Sequence, residues 1–230
     1  MPRSWDEIRT WRRGRRATLA EARLALPAPR RRELNAAIAD TLGRLLLRPP
    51  PATLGFYWPF KGEVDLRPLV RSLRDEAGTR AALPVVVRER APVEFWEWNP
   101  EARLARGVWG IPVPTERVVL TPGVLLVPLL GFDGRGYRLG YGGGYYDRTL
   151  AAMDPKPLTI GVGFELGRLS TIHPQPHDIP MDAIVTEAGM VRARSDRAAA
   201  PDAFASVDED PNSRATYASP PCFMHELDPR

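Results

Sequence analysis

The sequence is poor in cysteine and lacks long apolar segments. Its single cysteine, Cys222, excludes an internal disulfide and a cluster of thiolate metal ligands. No apolar run reaches the roughly 18 residues of a membrane span. The N-terminus is rich in arginine and has no apolar signal core. We therefore expect a cytoplasmic protein without a membrane partner.

Lysine is also scarce, since only Lys61 and Lys156 occur among 32 basic residues. This skew is typical of a coding bias toward arginine, so the net charge of +4 is a poor indicator of nucleic-acid binding. The charge is nevertheless uneven. Residues 1–48 carry twelve arginines against five acidic residues, net +7, and residues 201–230 carry two against six, net −4. A basic N-terminal arm that binds nucleic acid is the alternative use of this asymmetry.

Length and composition favour one domain followed by a tail. A chain of 230 residues with 43% hydrophobic content can bury a real core. Periodic segments continue to about residue 190, and from about Arg192 the chain is rich in Ala, Asp, Ser and Pro without periodicity. We predict a domain over residues 1–190 and a mostly disordered or loosely docked tail over residues 191–230.

Helical and extended segments alternate along the domain, which predicts an α/β fold with a mainly parallel sheet covered on both faces. Ser4 and Glu7 form a capping-box pattern at the first helix. The predicted helices are Trp5 to about Ala25, roughly Pro29–Leu47, and Val64–Ala77. The predicted strands are Thr53–Tyr57, Ala82–Val87, Val93–Trp98, Val124–Leu130, Leu158–Phe164 and Ala183–Thr186.

The stretch Leu125–Leu150, LLVPLLGFDGRGYRLGYGGGYYDRTL, is the most informative part of the chain. An apolar strand leads into seven glycines within fourteen residues, and a helix is predicted from Tyr145. A strand, a glycine loop and a helix N-terminus together form a cradle for phosphate. Arg138 and Arg148 add donors, and Asp147 offers an oxygen ligand for a nucleotide-bound metal. Neither the Walker A pattern nor the dinucleotide fingerprint is present, so the spacing predicts only a phosphorylated ligand.

A second cluster of polar residues follows the predicted strand Leu158–Phe164. His173 and His177 stand four residues apart, a spacing that places two zinc ligands on one face of a helix. The prolines of this segment exclude a helix; they are Pro174, Pro176 and Pro180. A zinc site is therefore disfavoured.

The segment RLGYGGGYYDR, preceded by VPLLGFD, resembles the signature of the 5-formyltetrahydrofolate cyclo-ligase (5,10-methenyltetrahydrofolate synthetase) family. The resemblance extends over roughly residues 8–188, although many members have Lys where this chain has Gly143. It implies a three-layer α/β/α fold of the sugar-isomerase/CoA-transferase type. It also implies the ATP- and Mg²⁺-dependent cyclisation of 5-formyltetrahydrofolate to 5,10-methenyltetrahydrofolate through a phosphorylated formyl oxygen, with release of ADP and phosphate.

The same resemblance implies residues for the nucleotide and the metal. Arg12 and Arg16, one helical turn apart, stand where the family places a basic pair against the phosphates. Further ATP contacts are expected from Arg138, Leu139, Gly140, Tyr141, Gly142, Gly143, Gly144, Tyr145 and Tyr146. Mg²⁺ is expected at Asp147 and Asp178, with Asp182 as the alternative to Asp178. Arg138, Arg148 and Lys61 are the expected catalytic residues.

The segment Trp58-Pro-Phe-Lys-Gly-Glu63 resembles the folate-holding element of the family. Flat aromatic rings suit a reduced pterin, and a carboxylate can accept from its amide and amino donors. The expected substrate-binding residues are Tyr57, Trp58, Glu63 and Tyr145. A lysine retained at position 61 in an arginine-biased chain indicates a need for a compact ammonium group. We expect a monomer that binds reduced folate and ATP, with a catalytically silent folate- or nucleotide-binding paralogue as the alternative.

Overall fold

The computed structural model describes residues 4–47 and 49–192, and this part of the chain contains four α-helices and thirteen strands. The helices are α1 (Trp5–Leu24), α2 (Ala28–Leu46), α3 (Arg67–Ala77) and α4 (Tyr145–Ala152). The strands are β1 (Thr53–Gly55), β2 (Arg80–Val85), β3 (Glu94–Trp98), β4 (Leu104–Arg106), β5 (Pro112–Pro114), β6 (Val119–Leu120), β7 (Val124–Pro128), β8 (Gly131–Asp133), β9 (Arg138–Leu139), β10 (Leu158–Val162), β11 (Arg168–Leu169), β12 (Ala183–Thr186) and β13 (Gly189–Arg192).

Eight of these strands form the central sheet in the order β13-β12-β10-β7-β1-β2-β3-β6. The five inner strands from β12 to β2 run parallel to one another. The outer strands β13, β3 and β6 are antiparallel. The prediction of a mainly parallel sheet is therefore confirmed, and antiparallel strands close it at both edges.

The two faces of the sheet carry separate parts of the core. In β7, Leu126 packs into the cluster beneath α2 and α3, whereas Leu125 and Val127 pack on the opposite face beside Leu150 of α4. This alternation gives three layers, helix on sheet on helix. The predicted apolar stripe of the second helix lies in the first cluster; its members are Leu34, Ile38, Leu42 and Leu45.

The helix ends follow local signals. The Ser4–Glu7 capping box at α1 is confirmed, with N···O distances of 2.7 and 3.3 Å. The third helix begins at Arg67 and not at Val64 as predicted, because Pro68 is accommodated only in the first turn of a helix. It ends at Gly78, which adopts the left-handed conformation with φ 69°.

The glycine-rich stretch is not one continuous loop. β7 ends at Pro128, and residues 131–139 form the β8–β9 hairpin, which was not predicted from the sequence. Gly131 begins this hairpin with a close approach to α1, since a Cβ there would lie 2.8 Å from Leu19. Only residues 140–144 form the loop that enters α4. The phosphate-cradle prediction therefore applies to this shorter segment.

β13 extends the domain slightly beyond the predicted boundary at residue 190. Met190 and Val191 pair with Val185 and Ile184 of β12, whose four residues are buried. The predicted tail lies outside the described residues from position 193 onward. Among the described helices, none is both long and apolar enough to cross a membrane.

We expect the pairing of β13 with β12 to determine how far the C-terminus can be truncated without loss of stability. Removing residues 193–230 should leave kcat and both KM values within about twofold, because the central sheet stays complete. Removing residues 187–230 should uncover β12 and cost on the order of 2 kcal/mol, or about 4–8 °C in Tm. Thermal unfolding of the two truncated proteins measures the difference. Equal midpoints would show that β13 contributes no stability.

Candidate active site

Three segments that follow neighbouring parallel strands meet at one edge of the sheet, beside α1. Residues 56–63 follow β1, residues 129–144 follow β7, and residues 163–182 follow β10. The carboxyl ends of parallel strands lie together, and ligands of open α/β sheets bind in the crevice outside them. The sheet therefore brings the glycine loop, the WPFKGE segment and the second polar cluster to one place.

α1 touches all three segments through arginines on one helical face. Arg16 donates from Nε to the Gly140 carbonyl at 2.7 Å. Arg23, two turns further along, donates from Nε to the Lys61 carbonyl at 3.0 Å and from Nη2 to the Tyr141 hydroxyl. Arg23 was not singled out from the sequence, although its spacing from Arg12 and Arg16 follows the same helical stripe.

Arg12 is buried and all of its guanidinium nitrogens are engaged by the protein. Nε donates to the Ile172 carbonyl at 3.0 Å and Nη2 to the His173 carbonyl at 2.9 Å. The two Nη atoms also form a fork to Asp178, at 3.3 and 2.5 Å. Burial by itself raises the pKa of Asp178, but hydrogen bonds from Arg12 and Gln175 outweigh it and lower that pKa. The predicted phosphate contact and the predicted metal ligand thus pair with each other.

Arg16 has terminal guanidinium nitrogens that are not hydrogen-bonded to the described part of the protein. Beyond the bond from its Nε, no described residue accepts from its terminal nitrogens. The group lies against the glycine loop, where a Cβ on Gly142 would stand 3.2 Å from its Cζ. Burial and the neighbouring Arg12 lower the pKa of Arg16, which Asp178 partly offsets. An anion at the glycine loop would satisfy these donors and this charge.

The glycine loop ends in an uncapped helix. Gly142 and Gly144 have φ of 95° and 65°, and no side chain caps α4, which starts immediately after Gly144. Arg148 folds back so that Nη2 donates to the Gly143 carbonyl at 2.6 Å, and its guanidinium lies 5.0 Å from the Tyr145 ring. Free amides, the helix dipole and an adjacent guanidinium provide the features of an anion site.

Asp147 lies in the first turn of α4 and keeps one oxygen available. Its Oδ1 accepts from the Ile179 amide at 3.1 Å and lies 3.1 Å from Nη2 of Arg138. Arg138 also donates to the Ile179 carbonyl at 2.9 Å. No hydrogen bond or ion pair of the described residues involves Oδ2 of Asp147. This oxygen can therefore take a cation.

The described residues include no group of three His, Cys, Asp or Glu side chains that could hold a metal by themselves. Asp182 accepts from both the amide and the hydroxyl of Thr159 at 2.7 Å, so it supports β10. His173 packs edge-on against Trp11 at 4.8 Å, which gives it a packing role. Mg²⁺ commonly binds through one or two carboxylates together with substrate phosphates and water. Asp147 fits that mode of binding.

Glu63 is buried and interacts electrostatically with two tyrosines, Tyr57 and Tyr146. Its Oε2 accepts from the Phe60 amide at 2.9 Å, and burial raises its pKa to about 7 in spite of that bond. The hydroxyls of Tyr57 and Tyr146 are buried and have no hydrogen-bond partner. Burial, and then the charge of Glu63, raise the pKa of both tyrosines. Tyr146, expected at the nucleotide, therefore interacts electrostatically with Glu63 of the segment expected to hold the folate.

Trp58 and Lys61, in the segment expected to hold the folate, differ in whether other side chains already engage them. The Trp58 ring is covered by the Arg67 guanidinium at 4.7 Å, so at least part of its surface is used in packing. Lys61 is exposed in the left-handed conformation with φ 48°, and its Nζ lies 5.1 Å from the Phe60 ring. No carboxylate pairs with this ammonium within the described part of the chain. It remains available to a ligand.

Aromatic side chains border the site on its exposed side. Trp109 is 62% exposed and meets the Tyr145 ring edge-on at 5.6 Å, while Phe60 meets Tyr141 at 5.9 Å. Trp109 has φ 59°, an unusual backbone conformation for a bulky residue. Trp109 lies in the glycine- and proline-rich loop GVWGIPVP and was not named as a site residue from the sequence.

A model of the 5-formyltetrahydrofolate cyclo-ligase family matches residues 8–187 of the chain. The chain belongs to this family. The resemblance carried by RLGYGGGYYDR is thereby confirmed, and with it the prediction of an enzyme related to the cyclo-ligases. The match begins within α1 and ends within the loop that joins β12 to β13.

Relatives of known identity agree with the family. The 5-formyltetrahydrofolate cyclo-ligase of Escherichia coli (strain K12) is 32% identical over 178 residues, which are 73% of this chain and 96% of that protein. The enzyme of the same name from Mycolicibacterium smegmatis is 30% identical over 203 residues, 84% and 99% of the two chains. The Aquifex aeolicus 5,10-methenyltetrahydrofolate synthetase structure matches with a TM-score of 0.70 and 30% identity, over 82% and 95% of the two chains. The predicted fold class is confirmed.

Glu63 is expected to make the stability of the protein depend on pH. Its pKa is about 7 in the folded protein against 4.5 for the free side chain. The folded state therefore keeps a proton that the unfolded state releases, and stability falls as pH rises through this window. The full cost, about 3 kcal/mol, is present above pH 7.

The variant Glu63→Gln cannot ionise, so it is expected to lose this pH dependence and to be more stable than the wild type at about pH 8. Denaturant unfolding between about pH 5 and about pH 8 measures the effect. Glu116→Gln removes an exposed carboxylate and serves as the control. A wild-type slope in Glu63→Gln would assign the dependence to another group.

Proposed function

We propose that this protein catalyses the ATP- and Mg²⁺-dependent cyclisation of 5-formyltetrahydrofolate to 5,10-methenyltetrahydrofolate, with release of ADP and phosphate. The observation that carries the proposal is the meeting of two unlike sites at α4. Its N-terminus offers Asp147 and the amides of the glycine loop, and the buried Tyr146 hydroxyl on the same helix interacts electrostatically with Glu63. A phosphoryl donor and a pterin could therefore be held side by side.

The chemistry accounts for both sites. The formyl oxygen attacks the γ-phosphorus of ATP, and ADP leaves with the electrons of the broken P–O bond. N10 then attacks the activated formyl carbon and loses its proton, and phosphate departs as the methenyl bridge forms. Phosphoryl transfer depends on positioning and charge stabilisation, which agrees with a site made of amides, arginines and one carboxylate.

We assign the phosphates of ATP to Arg16, Arg138, Arg148 and the amides of residues 140–144. Asp147 would hold Mg²⁺ through Oδ2, and the bound ion would neutralise charge on the phosphate oxygens. Arg16 supports this assignment because its terminal nitrogens meet no acceptor in residues 4–47 and 49–192. Arg12 and Asp178 are left out of the assignment, since each satisfies the other.

We assign the pterin to Glu63, with Tyr57 and Tyr146 as hydroxyl partners and Tyr145 as an aromatic contact. Tyrosine hydroxyls that are buried without partners lose hydrogen-bond energy until a ligand supplies one. Trp109, beside Tyr145, adds aromatic surface on the open side. Lys61 is assigned to the charge that develops on the formyl oxygen. A cytoplasmic location and a monomeric state remain predictions.

The test of this function is ATP-dependent formation of methenyl-folate by the purified protein, followed by its absorbance. Turnover that requires ATP, Mg²⁺ and 5-formyltetrahydrofolate together supports the proposal. Binding of both ligands without turnover would identify a silent paralogue. Binding to heparin or DNA with a steep salt dependence, in place of turnover, would favour the nucleic-acid alternative.

Replacement of Asp147 by Asn is expected to lower turnover at least about a hundredfold, on the order of 3 kcal/mol of transition-state stabilisation. The amide keeps the shape of the side chain but lacks the charge that holds the ion. Steady-state rates as a function of Mg²⁺ concentration measure the loss. Asp40→Asn, on the exposed face of α2, controls for the removal of one negative charge. Wild-type rates in Asp147→Asn would remove Asp147 from the site.

Two further variants are expected to separate the ligands. Arg16→Ala should raise the KM for ATP, because a charge-assisted contact with a free energy of about 1.5–3 kcal/mol is lost. The KM for folate should stay nearly unchanged. Glu63→Gln should do the reverse. Initial rates with each substrate varied in turn measure both constants. Equal effects of either change on both substrates would show that the two assignments are wrong.

A further inference from the structure

Arg12 makes the hydrogen bonds that hold the segment 172–178 on α1, while Trp5 and Trp11 of the same helix contact His177 and His173 through their rings. Arg12 bonds the carbonyls of Ile172 and His173 and both oxygens of Asp178. The pair is largely shielded from water, with 7% and 11% of the two side chains exposed. Fork-shaped contact to a carboxylate and two carbonyls uses the geometry that distinguishes arginine from lysine.

Asp178 also closes the turn in which it lies. Its Oδ2 accepts from the Gln175 amide at 2.6 Å, and its own amide donates to the Gln175 carbonyl at 2.9 Å. The carboxylate is thus held by the turn on one side and by Arg12 on the other. Loss of either charge would leave the other one buried without its partner, which is costly.

The residue that follows connects this turn to the proposed metal site. The Ile179 amide donates to Oδ1 of Asp147 at 3.1 Å, and the Ile179 carbonyl accepts from Arg138 at 2.9 Å. Asp147 and Arg138 are themselves 3.1 Å apart. One peptide backbone therefore sets the orientation of both side chains, and its position is fixed by the neighbouring Asp178.

We propose that Arg12 and Asp178 are positioning residues that act through Ile179 on Asp147 and Arg138, and that neither contacts phosphate or metal. The inference rests on the proposed function for the role of Asp147. Displacement of about 1 Å at reacting groups lowers rates strongly, so an anchor outside the chemistry can control it. Arg12 thereby connects α1 to the site structurally and does not make the phosphate contact that was expected from the sequence.

The first test does not require activity. Hydrogen–deuterium exchange of the segment 172–182, read by NMR or mass spectrometry, is expected to accelerate at least about tenfold at the Ile179 amide in Arg12→Gln and Asp178→Asn. Arg12→Lys keeps the charge without the fork and should fall between them and the wild type. Arg13→Gln removes an exposed arginine from the same helix and should leave the exchange unchanged. Unchanged exchange in Arg12→Gln and Asp178→Asn would overturn the proposal.

The second test is a double-mutant cycle on kcat. Arg12→Gln and Asp178→Asn should each lower kcat about tenfold, and their combination should be no worse than the stronger single change. In an Asp147→Asn background, Arg12→Gln should have less than about a twofold further effect. General destabilisation would give multiplied losses in both backgrounds, which contradicts a role through Asp147.

Two outcomes would return these residues to ligand roles. A rise of more than about tenfold in the KM for ATP in Arg12→Gln, with normal exchange at Ile179, would make Arg12 a phosphate contact. A higher Mg²⁺ requirement in Asp178→Asn but not in Arg12→Gln would make Asp178 a metal ligand. If the wild type shows no turnover, the proposed function fails, while the exchange experiment still decides whether the anchor exists.

Discussion

The arginine stripe of α1 is the contact on which the site depends. Arg12, Arg16 and Arg23 leave one face of the helix and each bonds a different segment beyond the sheet. Backbone carbonyls in such segments need donors once they leave the ladder of hydrogen bonds. A guanidinium supplies several donors in a fixed plane, so one side chain can fix a loop that forms no regular structure. Part of the positive charge of the N-terminal region therefore binds segments of the protein itself.

The site combines rigid support with groups that the fold leaves incompletely satisfied. The parallel strands fix where the loops begin, and α1 fixes where they lie. Between these supports remain the free oxygen of Asp147, the unbonded edge of Arg16, and the buried hydroxyls of Tyr57 and Tyr146. Glu63, buried with its pKa raised to about 7, costs stability when ionised. Groups of this kind collect where a ligand completes them.

The proposed reaction requires two very different ligands to meet, a polyphosphate and a flat heterocycle. α4 gives the two regions a common boundary, because its first turn borders the glycine loop while Tyr146 interacts electrostatically with Glu63. Tyr141, from the same loop, accepts from Arg23 and packs edge-on against Phe60. Movement of the glycine loop on nucleotide binding would therefore shift Tyr141 and its contacts in the region proposed for the pterin.

Local sequence signals determined the capping box of α1, the buried stripe of α2, the bounds of β12 and the position of the glycine loop. These features depend on residues a few positions apart, so periodicity and turn chemistry predict them. The tertiary structure alone decided that Arg12 pairs with Asp178, 166 positions away, and that the charge of Glu63 acts on Tyr146. Charge and spacing indicate which chemical groups a side chain can bind, but each of these side chains had several possible partners. Packing of α1 against the carboxyl edge of the sheet selected among them.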